Sequence, residues 1–229
     1  MGSTVKSFFQ SFSKIPEGKF PPEYYTPRML RAVVFGNYAH SLGILTHGLF
    51  IVIFALIGVR TLALFNIFSV ILWITAFSFH RRGYISQGYL LITIENIAHA
   101  AVCTLVIGWD TGFQYILLVQ PVCVFVLHWR TIQKALVASI YCCAYIAINY
   151  YANVSVPILE LSQIYIAALN YGNIIVICLI LTSLGYIYSR AAITAEEKLE
   201  QEHPRANILK WWPSSGPFIR PDSGRRLPG

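Results

Sequence analysis

The chain has 229 residues, of which 56% are hydrophobic and only 12% are charged. A soluble domain carries about 25% charged residues, so most of this surface is expected to face lipid. The formal net charge of +7 does not indicate nucleic-acid binding, because the basic residues lie beside apolar stretches and form no continuous stripe. We therefore expect an all-α polytopic membrane protein whose main partner is the lipid bilayer.

Residues 1–31 are predicted to form a polar, basic N-terminal tail without a cleavable signal peptide. Six apolar stretches follow, and a membrane-spanning helix needs roughly 20 such residues. The connections between them are short, which predicts antiparallel neighbours. Residues 32–188 are thus predicted to form a six-helix transmembrane bundle. The expected spans are Ala32–Val59, Leu62–Phe79, Gln87–Ile107, Phe113–Leu127 (kinked at Pro121), Ala135–Tyr151 and Ile164–Tyr188.

Charge predicts the orientation of these spans, because Lys and Arg collect on the cytoplasmic side of membrane proteins. The N-terminal tail, the second and fourth connections and the beginning of the C-terminal tail are all basic. The odd-numbered connections carry only Arg60, together with Asp110 and Glu160. Both termini are therefore expected in the cytoplasm of a multi-pass protein of the inner (plasma) membrane, which requires an even number of spans.

Polar residues inside the apolar stretches are candidate functional residues, because ionisable groups are costly at membrane depth. Glu95 lies near the middle of the third span, and His99 follows four residues later on the same helical face. His40 and His47 are seven residues apart and share a face of the first span. Counted from the cytoplasmic ends, His47 and Glu95 fall at similar depth, so we expect them to approach each other. The complete predicted ligand-binding or sensing site is His47, Glu95, His99, Asn170 and Asn173.

Two other interpretations of these residues stay open. One is a buried hydrogen-bonded cluster that only fixes helix packing, as polar contacts between membrane helices do. The other is haem or metal ligation by His47, His99 and partners. The spacing from Glu95 to His99 is one residue longer than the di-iron Glu-x-x-His pattern, and we predict neither a metal nor a cofactor. His80 and His128 are expected at the membrane interfaces, in contact with solvent.

After the sixth span the composition changes, and residues 189–207 are predicted to form a charged helix. A weak heptad in this helix could pair two subunits in parallel, so a homodimer is expected. The last residues, 208–229, are rich in Pro, Gly, Ser and Arg, which predicts disorder. The residues predicted to form the dimer seam are Ala192, Ala195, Leu199, Glu202 and Ala206.

The stretch Ala195–Asn207 contains Glu-Lys-Leu-Glu, then Glu-His, then Arg-Ala-Asn. It resembles the signalling helix that joins a membrane or sensor region to the catalytic domain of class III nucleotide cyclases. With six spans before it, the chain resembles the N-terminal membrane domain of a bacterial adenylate or guanylate cyclase. The resemblance implies a membrane anchor and sensory input module, dimeric, responding to a small lipophilic ligand.

Two departures from that family are visible. Pro204 stands inside the predicted helix and should break or kink it, and the resemblance ends after Asn207. The family's metal-binding aspartates have no counterpart here, so we expect no enzymatic activity from this chain. A reading-frame change that truncated a longer cyclase before its catalytic domain would explain this pattern.

Three other functions were weighed from the sequence. The same type of anchor occurs on histidine kinases and diguanylate cyclases, where the segment after Asn207 would differ. A small transporter or channel would be expected to show internal repeats and broken helices, but no repeat is visible and Glu95 is the only deep charge. An intramembrane enzyme is least favoured, because the spans contain no serine, histidine and acid set at plausible depth.

Overall fold

The computed structural model describes residues 27–202, and this part of the chain is all-helical. Of the described residues, 27–187 belong to one compact unit, which contains the helix bundle, and 188–202 belong to another. Five of the helices are long and apolar enough to cross a membrane. The helices are α1 (Pro27–Leu56), α2 (Arg60–Arg81), α3 (Ile85–Ile107), α4 (Tyr115–Val124), α5 (Thr131–Val154) and α6 (Gln163–Glu202), with a 3₁₀ turn at Trp109–Thr111.

One end of the bundle, here called the Phe54 end, is built where α1 and α3 finish and α2 and α6 begin. Phe54, Ile107, Phe113 and other residues of these segments pack in one apolar cluster. The chain after α5 reaches the same end, because the N–H of Ile158 donates to the carbonyl of Leu105 at 3.1 Å. The connections at this end are therefore those before α2, before α4 and before α6.

The opposite end, here called the Val33 end, is built from the beginnings of α1 and α3 and from the chain that follows α4. Val33 packs there in one cluster with Ile85 and Leu127. The indole of Trp129, just before α5, donates to Ser86 Oγ at 2.7 Å. The six segments consequently run up and down between the two ends, as the short connections predicted.

A seven-residue pattern of buried residues joins α1 to α2. In each helix a series of buried positions alternates in steps of four and three, which is the spacing of an interhelical seam; α1 also buries Ala32, Phe35 and Asn37 outside this series. Along this α1–α2 seam, small residues of one helix face large residues of the other, as close-packed membrane helices require. The seam residues are Met29, Val33, Gly36, His40, Gly43, His47, Phe50 and Phe54 of α1, with Leu62, Asn66, Ser69, Trp73, Ala76 and His80 of α2.

The fourth predicted span, Phe113–Leu127, contains a shorter α-helix than the sequence predicted. The α-helix α4 has only ten residues and is about 15 Å long, half the thickness of a bilayer core. Tighter turns extend it, since the N–H groups of Phe125 and Leu127 each bond to the carbonyl three residues before. Leu117 and Val124 are fully buried, so protein covers much of this segment. A short helix is tolerated where protein rather than lipid surrounds it.

Other boundaries differ less from the predictions. Helix α1 begins at Pro27, inside the predicted tail, because proline is accepted in the first turn of a helix. Helix α6 passes without interruption from the predicted sixth span to Glu202, and Ala192 and Ala195 are exposed on it. The predictions for residues 1–26, Pro204, Ala206 and the tail 208–229 lie outside the described residues. Dimerisation through this helix stays a prediction.

The two ends of the bundle differ in charge. The connections at the Val33 end contain the basic residues that the sequence assigned to the cytoplasm. Lys134 donates to the carbonyl of Phe125 at 3.0 Å and so satisfies a backbone group at the end of α4. The charged residues are Arg81, Arg82, Arg130 and Lys134 in the connections of the Val33 end, and Arg60, Asp110 and Glu160 at the Phe54 end.

Candidate functional site

An elongated internal cavity of about 110 Å³ lies between α1, α3, α4 and α6, with α2 side chains closing one wall. It follows α1 from Ala32 near the Val33 end to Phe50 near the Phe54 end. Most of its walls are apolar, which is typical of small-molecule sites with a few polar groups that fix orientation. The polar side chains in the wall are His40, Thr46, His47, His80, Asn96, His99, Gln120 and Asn173.

A buried carboxyl group lies beside this cavity. Glu95 on α3 is only 2% exposed, and its Oε2 accepts a hydrogen bond from the indole N–H of Trp73 at 2.9 Å. Its other oxygen, Oε1, is 3.6 Å from Nε2 of His47 on α1. The predicted approach of His47 and Glu95 is therefore present, and α2 supplies the hydrogen bond that orients the carboxyl.

Asn66 on α2 joins the two histidines of the site. Its Nδ2 donates to the carbonyl of Leu62 at 2.8 Å, which fixes the orientation of the amide. Its Oδ1 is then an acceptor for both His47 Nδ1 at 2.9 Å and His99 Nε2 at 3.2 Å. Because an amide oxygen only accepts, both of these ring nitrogens must carry hydrogen. The network thus sets the tautomer of each imidazole.

This assignment has a consequence for the pair of His47 and Glu95. With Nδ1 of His47 protonated, Nε2 is a lone pair in the neutral ring and an N–H only in the imidazolium. The separation of 3.6 Å between His47 Nε2 and Glu95 Oε1 is longer than a hydrogen bond, and Oε1 has no hydrogen-bond partner among the described residues. A buried polar atom without a partner costs free energy, so this oxygen is an unsatisfied acceptor beside the cavity.

Aromatic side chains enclose the end of the cluster that contains His99. The rings of Phe50, Phe65 and Phe113 have centroids 6.1, 5.8 and 5.4 Å from that of His99. His47 and His99 meet edge to face at 4.6 Å. Such a shell keeps water from the hydrogen bonds and raises the electrostatic cost of leaving any of them unmade.

The five residues predicted for the site fall into two groups. His47, Glu95 and His99 form one connected cluster. Asn170 and Asn173 do not join it by hydrogen bonds: their Nδ2 atoms donate to the carbonyls of Asp110 at 2.8 Å and Thr111 at 2.9 Å. They fasten α6 to the 3₁₀ turn at the Phe54 end. Asn173 nevertheless lines the cavity, whereas Asn170 does not.

The expectation that His80 contacts solvent was wrong. His80 is 2% exposed, and its Nε2 donates to the carbonyl of Val33 at 3.0 Å. Gly36 provides the space for it, because a methyl group on Gly36 would lie 2.1 Å from His80 Cε1. His128, by contrast, is exposed.

Sequence reasoning missed Asn66 and Trp73, the two α2 residues that hold the cluster together. Both were visible as members of a seven-residue series, Asn66, Trp73 and His80. The first span contains a matching series in His40 and His47. Pairing the two series would have placed α2 against α1 and brought its polar residues to the site.

The geometry of the described residues does not favour a metal centre. Among residues 27–202, no three His, Cys, Asp or Glu side chains converge as metal ligands. Asn66 already takes one N–H from each of His47 and His99, so these nitrogens point at an amide and not at a common vacant position. The chemistry that these side chains offer is hydrogen bonding.

No known protein-family model, no curated protein and no solved structure matches this chain. The likeness of Ala195–Asn207 to cyclase signalling helices stays a prediction. Function has to be inferred from the residues and from the way the bundle arranges them.

Proposed function

We propose that the chain is the membrane anchor and sensory input module of an adenylate or guanylate cyclase-type signalling protein. In this proposal it spans the plasma membrane six times with both termini in the cytoplasm, and it carries no catalytic activity itself. A small lipophilic molecule in the cavity changes the packing of the helices. Two copies pair, so that a change in packing alters the dimer seam of the attached output domain.

The observation that carries the proposal is a cavity shared by several helices, with a buried carboxyl–imidazole cluster beside it. His47 and His99 belong to both the cluster and the cavity wall. The wall also includes Ile177 and Ile180 of α6. An occupant would contact α1, α3 and α6 at once, and a ligand acts by binding two arrangements of such elements with different affinity.

Charge and composition support the membrane part of the proposal. Five helices are long and apolar enough to span a bilayer, and many large apolar side chains are exposed on them, as lipid contact requires. The basic connections lie at the Val33 end, which in this proposal is cytoplasmic. The alternation of six segments between the two ends fits termini on one side.

The test joins residues 1–207 to an intact class III cyclase domain and measures cyclic nucleotide formation in membranes. Glu95→Gln keeps the acceptor for Trp73 but removes the carboxyl group that lies 3.6 Å from His47. We expect this substitution to change output by about fivefold or more, the low end of measured allosteric coupling. Glu160→Gln, the same chemical change at an exposed position, is the control and should leave output unchanged.

Two results would count against the proposal. One is a chimera whose output matches that of the cyclase domain on an unrelated membrane anchor. The other is an equal response of the Glu95→Gln and Glu160→Gln chimeras, with both proteins present in membranes at the level of the parent.

A further inference from the structure

We propose that the cavity binds an uncharged apolar molecule whose hydroxyl group lies toward the Val33 end and donates a hydrogen bond to Nε2 of His40. This inference deepens the proposed function, on which it rests for its signalling consequence. The hydrogen bond that carries the binding involves His40, which lies outside the cluster of Glu95, His47 and His99. It can therefore be measured on the isolated protein.

The tautomer of His40 determines which of its two ring nitrogens can accept a hydrogen bond. Its Nδ1 is hydrogen-bonded to the backbone carbonyl of Gly36, one turn earlier on α1. A carbonyl oxygen only accepts, so Nδ1 holds the hydrogen and Nε2 of the neutral ring is a lone pair. His40 is 3% exposed, and Nε2 makes no hydrogen bond to any described residue. A buried acceptor without a donor costs free energy, and a bound donor would recover it.

The neighbouring side chains do not supply that donor. His80 lies next to His40, with ring centroids 4.9 Å apart, but its Nε2–H is used by the carbonyl of Val33. The remaining nitrogen of neutral His80 is therefore also an acceptor. The indole of Trp73 contacts the ring of His40 edge to face, but its N–H is bonded to Glu95. The rings of His40 and His80 both line this part of the cavity, and each offers an acceptor nitrogen and no free N–H.

The walls define the rest of the ligand. Ala32, Phe35, Ile85 and Ile180 are apolar, and His40 and His80 line the same cavity. No Asp or Glu of the described residues lines the cavity, so a cationic amine would bring a charge without a counter-ion. A carboxylate has only hydrogen-bond acceptors, which cannot pair with the acceptor nitrogens of His40 and His80. An alcohol or a phenol brings one donor on an apolar body, and the cavity volume of about 110 Å³ suits a small ring or a short chain.

The test compares three ligands of nearly equal shape: 4-propylphenol, its methyl ether and propylbenzene. Their affinities for the purified chain in lipid nanodiscs are measured at matched concentrations in the bilayer, with protein-free discs as the blank. Only the phenol can donate. We expect it to bind about fivefold more tightly than either analogue, which corresponds to about 1 kcal/mol at 1.4 kcal/mol per tenfold, a typical single hydrogen bond.

Two matched variants assign the effect to a residue. His40→Phe keeps a ring of similar size and removes the acceptor. The phenol and its two analogues should then bind this variant with about equal affinity. His128→Phe is the same change at an exposed position and should keep the full preference. If His40→Phe does not fold, the three ligands on the unmodified chain still decide, because the methyl ether differs from the phenol only in lacking the donor.

The proposal is overturned if none of the ligands binds, if all three bind equally to the unmodified chain, or if the preference survives in His40→Phe. Equal binding would also be the result if His40 and His80 shared a bound proton in place of a ligand. A chain that prefers the phenol while the cyclase chimera shows no change in output would refute the proposed function and leave this site standing. A chain without a preference for the phenol, together with a chimera whose output changes, would refute this binding site and leave the proposed function standing.

Discussion

Helices α3 and α6 represent two ways in which this bundle holds a helix. In α3, 56% of the most apolar 18-residue stretch is buried, and in α6 only 11% is buried. Helix α3 packs against α2 with so little space that a methyl on Gly88 would lie 2.8 Å from the carbonyl oxygen of Ala76. Helix α6 is held at the Phe54 end by the amides of Asn170 and Asn173, each bonded to a backbone carbonyl.

The difference follows from the physics of association in lipid. Lipid tails are as apolar as leucine, so membrane helices gain little by hiding apolar surface from each other. Close packing at glycines and hydrogen bonds between helices remain as the forces that specify contacts. The α1–α2 seam and α3 use both. Helix α6 has its two amides and an apolar contact of Leu184 with Phe35 and Val119, and most of its apolar surface is exposed. A helix with few buried contacts can move at a low cost in free energy. In the proposed sensor α6 is such a helix, and it contacts the cavity and leads to the output helix.

The largest expected effect comes from filling the space that Gly43 leaves for Trp73. A methyl at this position would lie 2.3 Å from Trp73 Cε3, and the displaced indole would lose its bond to Glu95. We expect Gly43→Ala to lower the free energy of unfolding by about 3 kcal/mol, combining overpacking with the lost hydrogen bond. For a chain of this size, that is roughly 6–12 °C in the midpoint of thermal unfolding in detergent.

Gly48→Ala on the same helix is the matched control, because nothing lies within 4 Å of the added methyl. Alanine favours a helix over glycine by about 0.5–1 kcal/mol, so this variant should be equally stable or slightly more so. Equal destabilisation by both substitutions would show that the close contact of α1 with α2 does not hold.

The second-largest effect is expected when an asparagine is replaced by leucine in the polar cluster, and it is compared with the same change in α6. Asn66→Leu removes the acceptor shared by His47 and His99 and leaves two buried N–H groups unpaired, which should cost about 2 kcal/mol or more. Asn173→Leu removes one donor to the carbonyl of Thr111 and should cost about 0.6 kcal/mol, the average for such bonds between membrane helices. Thermal unfolding of both variants measures the difference. An equal loss would contradict the view that α3, whose His99 donates to Asn66 of α2, and α6 are held differently.

The sequence predicted well those features that depend on one helix at a time. The positions of long apolar runs gave both ends of α1, α2, α3 and α5, and the beginning of α6, within five residues. His47, Glu95 and His99 stood out because they are polar residues in apolar surroundings, and depth counted along the chain correctly brought His47 to Glu95. Trp73 gave no such signal, since its indole counts as apolar until a partner for its N–H is known.

Features that depend on which helices are neighbours were harder to predict. The sequence prediction placed Asn170 and Asn173 with the cluster, but their amides donate to the 3₁₀ turn that precedes α4. His80 was assigned to solvent because it was expected at a membrane interface, although Gly36 on another helix provides the space that buries it. An apolar run such as Phe113–Leu127 does not reveal that its ends tighten into turns.

The smallest expected effect is at the glycines of α6. No atom lies within 4 Å of a methyl added at Gly172 or Gly185, so Gly172→Ala and Gly185→Ala should be neutral or should stabilise the chain by up to about 1 kcal/mol. Gly88→Ala in α3 is the contrasting variant and should cost about 1–3 kcal/mol, because a backbone carbonyl cannot move aside as a side chain does. If an α6 variant lost as much stability as Gly88→Ala, α6 would have to pack against protein more closely than its exposed surface indicates. The freedom to move that the sensory proposal assigns to α6 would then be lost.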